Sequence, residues 1–409
     1  MAFDPERMRQ QQAARAQKEL TRAKYKKLRT LLAFLLGGIV LAGVLVAAGF
    51  GIKHLISRSA KPPAPPTPAD LTVIHLAAGG DLNVTPKIVG PGGDYTDTFL
   101  DVAALFANAD IATLNFEGGL YGEPYGEDAS APSALPQALK NAGVDLVQLA
   151  NSYTIYRGTA GLASTHSGMQ AVGLTPVGAW PTAAAAKEAG GYTIKEVKGI
   201  KIAFVSFTKG MDGMALPPGS EGCVNLLYTD YASSYQEVDT EGITQILERV
   251  EEEEKPDLIV ALLHWGSEFN DTVSTSQTKI VELMQENGVD AIIGTHSHYV
   301  QKMTFDPATG NFVAYSLGDF LGDADRAGTE YSVILDLEIT KNKTTGETKI
   351  TNYSYTPIFT VTDGNAPKVM RIDTAIAAYE NNFISRVSAS TYQAMKYALE
   401  RIAARITAK

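Results

Sequence analysis

Two histidines at i and i+2, His296 and His298, close the stretch D-A-I-I-G-T-H-S-H, Asp290 to His298. Neutral imidazole is the commonest protein ligand for zinc, manganese or iron, and a turn at a strand end can aim both rings at one point. A third of the six histidines, His264, stands in the same setting, at the end of the apolar run L-I-V-A-L-L. Oxygen-bearing residues repeat the placement. Asp81 follows L-T-V-I-H-L-A-A-G-G, Asn115 and Glu117 close D-I-A-T-L-N-F-E, and Asn151 ends V-D-L-V-Q-L-A-N. Each has a bland alternative, as a turn aspartate or a packed histidine. Seven such groups on five strand ends are hard to explain blandly. Mixed His, Asp, Asn and Glu donors suit Mn²⁺, Fe or Zn²⁺, and metals in such a set activate water or polarise a phosphoryl or related centre.

Those groups need strands to carry them. Apolar runs of strand length alternate with helical spacing through 71–300, which predicts an α/β fold. Strands are expected near 71–81, 110–117, 144–150, 175–179, 200–207, 257–263, 290–294 and 311–317. Helices are expected over 97–109, 134–142, 159–172, 239–254 and 274–288. Asn311 to Phe320 reads as a strand followed by a turn that bears Asp319. Residues 330–362 alternate as a β-hairpin with its turn at Gly346-Glu347, and 375–409 is amphipathic helix. In α/β sheets, sites form at the carboxyl ends of strands, where all seven groups fall.

The first seventy residues are of another kind. Residues 1–30 hold nine Lys/Arg against three acids, so they carry +6 of a net −10 and leave −16 for the rest. A basic tail at 1–30 is followed by 22 residues without a charge, Leu31 to Ile52. About 20 apolar residues cross a bilayer, so one transmembrane helix is expected. The run is too long for a cleaved signal segment. The basic excess before it places the N-terminus in the cytoplasm and the bulk of the chain outside the cell membrane. Residues 53–70 form a Pro-rich linker. One cysteine, Cys223, excludes an internal disulfide and a cysteine-based zinc site. The acidic body argues against nucleic acid as a partner.

The strand-end motifs resemble the CapA family of poly-γ-glutamate capsule biosynthesis proteins. The resemblance rests on G-G-D (79–81), L-N-F-E-G (114–118), L-A-N (149–151), L-H-W-G (263–266), G-T-H-S-H-Y-V-Q (294–301) and Y-S-L-G-D-F (315–320). It implies a four-layer αββα sandwich of two mixed sheets, related to the calcineurin-like metallophosphoesterases. That domain is expected over 71–365, with a helical segment at 366–409. The resemblance carries Asp81, Glu117, His264, His296 and His298 over as metal positions and Asn115 as a site residue. His264 and Asn151 take the catalytic positions, with Asn83 and Trp265 at the margins.

One departure matters. Where the family reads L-A-N-N-H, this chain reads Leu149-Ala150-Asn151-Ser152-Tyr153. In the wider superfamily that histidine protonates the leaving group. An unperturbed phenol keeps its proton to about pH 10, so Tyr153 is a poor replacement. The expected function is therefore a membrane-anchored role in synthesis, export or retention of a poly-γ-glutamate-type polymer. The metal site is expected to be partly degenerate, with one divalent ion rather than two, or none. Its partners would be a ligase and a small membrane subunit. The alternatives are an active phosphoesterase or γ-glutamyl hydrolase and a non-catalytic polymer-binding module.

Overall fold

The computed structural model describes residues 70–90, 93–362, 366–383 and 387–408. The basic tail, the apolar span at 31–52 and nearly all of the linker lie outside the described residues. Among those described, no helix is long and apolar enough to cross a membrane.

The first sheet is built on β1 (Leu71–Asn83). One edge of β1 pairs in parallel with β2 (Ile111–Glu117), followed by β3 (Leu146–Gln148) and β4 (Thr175–Val177). The second sheet runs β5 (Tyr192–Val197), β6 (Ile200–Thr208), β7 (Leu258–His264), β8 (Ala291–Thr295), then β10 (Phe312–Ala314) and β9 (Met303–Phe305). Its outer strands β5 and β9 are antiparallel and the inner ones parallel, so this sheet is mixed. The short strand β11 (Asp319–Leu321) returns to β1 of the first sheet. On the other edge of β1, β12 (Tyr331–Asn342), β13 (Thr348–Val361) and β14 (Lys368–Arg371) pair antiparallel, which makes the first sheet mixed as well.

Alternation along the strands makes the layers. Ile74, Leu76 and Ala78 of β1 face Phe204, Val260, Leu262 and Ile293 of the second sheet in one buried core. Ala77, Leu114 and Val147 point the other way, under Ile88, Phe99, Phe106, Leu135, Leu139, Leu162 and Met169. Those residues come from helices Pro86–Val89, Thr96–Phe99, Ala103–Ala107, Ala134–Asn141 and Gly158–Ala171. On the outer face of the second sheet, Ala203, Val205, Ile259 and Ala261 meet Ile243, Leu247, Ile280 and Met284 of helices Thr240–Arg249 and Thr275–Glu286. This is the expected helix-sheet-sheet-helix order.

Local chemistry fixes where these elements start. Ser274 caps helix Thr275–Glu286: its Oγ accepts from the Gln277 amide at 3.2 Å, and Gln277 Oε1 accepts from the Ser274 amide at 3.0 Å. The single helix expected over 97–109 is two short ones, broken at 100–102. Phe99, Val102 and Phe106 are all buried, so their spacing records burial rather than unbroken helix. The C-terminal helices Ile372–Glu380 and Ala389–Ile406 join the inter-sheet core through Ile372, Ala375, Met395, Ala398 and Ile402.

Candidate metal centre

Strand register sets the first row of the site. Asp81 on β1 pairs with Asp319 on β11 at one side and with Asn115 on β2 at the other. Three polar side chains thus stand abreast at one sheet end, and Glu117, two residues past Asn115, shares their face. The close approach of β11 depends on Gly80, where a Cβ would lie 1.7 Å from the Gly318 carbonyl oxygen. The Asp81 amide then donates to that oxygen at 3.0 Å.

The second sheet supplies the nitrogens. His264 is the last residue of β7 and pairs in register with Thr295 of β8. His296 and His298 follow β8 in a turn where both adopt positive φ, 86° and 59°. That conformation is costly for residues with a Cβ, by about 1–3 kcal/mol each, and it clusters at functional sites.

Hydrogen bonds join the two sets. Asn115 Nδ2 donates to Asp81 Oδ1 at 2.6 Å and to Glu117 Oε1 at 3.0 Å. Asp81 Oδ2 accepts from the His296 amide at 2.9 Å. His264 Nδ1 lies 3.3 Å from Glu117 Oε1, and its Nε2 faces Ser152, whose Oγ is 3.1 Å away. His298 Nδ1 meets Asp319 Oδ1 at 2.7 Å.

Burial makes the electrostatics severe. Asp81 and His264 are both 0% exposed. Burial raises the carboxyls of Asp81, Glu117 and Asp319, and Asp81 raises Glu117 further. Burial holds the imidazoles of His264 and His296 well below their usual range. His298 goes the other way: burial opposes its charge, but Asp319, Glu117 and Asp81 outweigh that and lift it to about 10.

Among the described residues, two groups of donors are close enough to hold a cation. They are Asp81, His298 and Asp319, and Asp81, Glu117 and His264, with the donor atoms of each within 4.8 Å of one another. Asp81 belongs to both. The residues fit a divalent ion. Three buried carboxylates and two imidazoles are a mixed oxygen and nitrogen set. Beside them, His296 Nε2 is buried without a hydrogen-bond partner. An unpaired buried polar atom is costly, and a ligand at that nitrogen would remove the cost.

Not every expected residue reaches the donors. His296 lies next to His264, ring centroids 4.4 Å apart, but outside both groups. Asn151 stands one step behind: its Nδ2 donates to Asn115 Oδ1 at 3.0 Å and to the Phe116 carbonyl at 2.8 Å, so it positions Asn115. Asn83 borders Asp319 and His298 in a cavity of about 290 Å³. Trp265 is in the core instead. Its indole is fully buried, donates to the Tyr315 carbonyl at 2.8 Å and stacks on the Tyr315 ring. Successive residues of a strand end face opposite ways, so His264 inward sends Trp265 outward.

Asp319 is the donor that sequence reasoning left as a turn residue. Its signal was present, a carboxylate after Gly318 and an apolar run, as for Asp81 after Gly80. At the opposite corner, burial raises the Tyr153 phenol above its ordinary value of 10, which makes it a still weaker acid.

Residues 75–324 match the family described as bacterial capsule synthesis protein PGA_cap. The chain belongs to this family. The expected CapA resemblance is borne out by curated relatives too. The chain is 25% identical over 267 residues to "Capsule biosynthesis protein CapA" of Bacillus anthracis, covering 62% of this chain and 60% of that protein. It is 24% identical over 253 residues to "PGA biosynthesis protein CapA" of Bacillus subtilis (strain 168), covering 60% of this chain and 62% of that one. The matched region thus spans about three fifths of each relative's length. Among solved structures, the calcineurin-like phosphoesterase YfkN from Bacillus subtilis aligns over 81% of this chain and 99% of its own, at 15% identity and a TM-score of 0.42.

Proposed function

We propose that the chain acts in making, exporting or retaining an anionic γ-glutamyl capsule polymer at the outer face of the cell membrane, through a centre that holds a divalent cation. The carrying observation is Asp81, shared by two donor groups that meet where the sheets join. Asp81, His298 and Asp319 would hold one cation position, and Asp81, Glu117 and His264 the other. Such an ion would polarise an oxygen of the ligand. The chain's own residues do the rest. Asn115 fixes the two carboxylates, and Asn151 fixes Asn115.

Hydrolytic turnover is the weaker alternative, because neither Ser152 nor Tyr153 supplies a proton near neutral pH. Support for the polymer role comes from family membership and from the charge pattern of residues 1–52, which favours a single-pass anchor with the N-terminus inside. A ligase and a small membrane subunit are the proposed partners.

The test uses the purified full-length chain, expressed with added Mn²⁺ or Zn²⁺. Elemental analysis should find bound metal, lost in Asp81→Ala, with no phosphodiesterase turnover above background. A metal-free protein under every condition would remove the centre, and fast metal-dependent turnover would make the chain an enzyme.

A further inference from the structure

A cavity of about 250 Å³ is bordered on one side by His296 and Ser152 of the metal centre and on the other by Lys209, Asp212, Tyr235 and Glu268, which the centre does not use. Lys209 is the first residue past β6. Its amide donates to the His264 carbonyl at 2.8 Å, which pins it against the end of β7. Its Nζ donates to the Gly266 carbonyl at 3.0 Å and lies 4.6 Å from the centre of the Tyr235 ring. Glu268 and Asp212 line the same cavity.

Among the described residues, no carboxylate comes within ion-pair distance of Lys209 Nζ. Elsewhere lysines do pair: Lys87 with Asp325 at 2.8 Å, Lys201 with Glu254 at 2.6 Å and Lys341 with Asp257 at 2.7 Å. Opposite charges therefore share this cavity without meeting. Lys209 has an ammonium proton left to donate after Gly266 and the Tyr235 face. A simple anion entering the cavity can use Lys209 but finds no use for the carboxylates of Glu268 and Asp212. A ligand with both charges on one carbon suits all three groups.

We propose that this cavity receives a free α-amino-acid group, with its carboxylate on Lys209 and its ammonium on Glu268 and Asp212. The inference rests on the function proposed above for its choice of ligand. The amino-terminal unit of a γ-linked glutamyl chain carries both groups free, whereas every inner unit has its amino group in an amide. The cavity then reads a chain end, and the neighbouring centre lies on its His296 side.

Titration calorimetry of the full-length chain tests this with L-glutamate, D-glutamate, N-acetylglutamate and glutarate. Glutamate of at least one hand should bind. N-acetylglutamate and glutarate, which lack the ammonium, should bind roughly tenfold more weakly or worse. Lys209→Met and Glu268→Gln should each weaken glutamate roughly tenfold, the scale of one charged hydrogen bond. Glu268 is exposed, so its variant does not threaten folding. Glutarate bound as tightly as glutamate, full binding by Lys209→Met, or no glutamate binding by the natural chain would each overturn the proposal. Metal content measured on the same samples separates the two ideas. Glutamate binding without metal keeps the cavity and removes the centre, while metal without glutamate binding removes only the cavity.

Discussion

At the ends of β1, β2 and β11 the first sheet presents Asp81, Asn115, Glu117 and Asp319, all oxygen-bearing, while the second presents His264 at the end of β7 and His296 and His298 just after β8. The oxygen side is set by register between neighbouring strands and tied by Asn115. On the nitrogen side, only His264 belongs to a strand. The other two sit on a turn. Neither side can hold a cation alone, since each donor group takes one histidine and two carboxylates. The centre therefore exists only when the sheets are packed face to face, and ion binding should report on that packing.

Removing the shared ligand tests this most severely. Asp81→Ala takes one donor from each group, and elemental analysis should find no bound metal. Asp319→Asn and Glu117→Gln each strip one group and spare the other, so each should lower the metal content without abolishing it. If either variant alone removed all metal, the two positions would be one. Ile293→Ala leaves every donor in place but opens a cavity between the sheets. It should cost about 3 kcal/mol in urea unfolding, as buried isoleucine truncations do. At saturating metal its ion content should be unchanged.

The smallest effect concerns Asp290, at the entry to β8, whose carboxylate accepts from the Ile259 amide at 2.9 Å. Burial raises its pKa from 3.8 to about 6. The folded chain must ionise a buried acid that the unfolded chain ionises easily. This penalty is absent below pH 3.8, grows between about pH 4 and 6 and is constant above. Asp290→Asn keeps an acceptor and removes the charge. It should come close to the natural chain near pH 4 and be about 3 kcal/mol more stable at pH 8. Denaturant melts at the two pH values measure it, and equal stability at pH 8 would refute the shift.

Much of this was legible because strands advertise their ends. An apolar run that stops at Gly-Asp, Leu-Asn or Leu-His gives both the element and the residue that projects from it. Asp319 escaped because Asn311 to Phe320 looks like one strand and a turn. In fact Phe312–Ala314 belongs to the second sheet, and Asp319–Leu321 belongs to the first. A period-2 pattern shows faces, never which sheet a strand has joined. Lys209 escaped for a simpler reason. A lysine after a strand looks like any solvated loop residue until Gly266 and Tyr235 are seen around it. The strands β5 and β9 also went unread. They are sheet edges, and β5 is only half-buried along most of its length, so it lacks the apolar run that marks β6 or β7.

The positive φ angles at His296 and His298 set the fold and the site against each other. Glycine would suit both backbone positions better than histidine does. A chain tuned for thermal endurance alone would place small, permissive residues in this turn. Imidazoles stand there instead, so the turn gives up some backbone ease to keep two possible ligands at the donor groups. Stabilising substitutions sought at this turn would then remove the imidazoles that stand in or beside the donor groups.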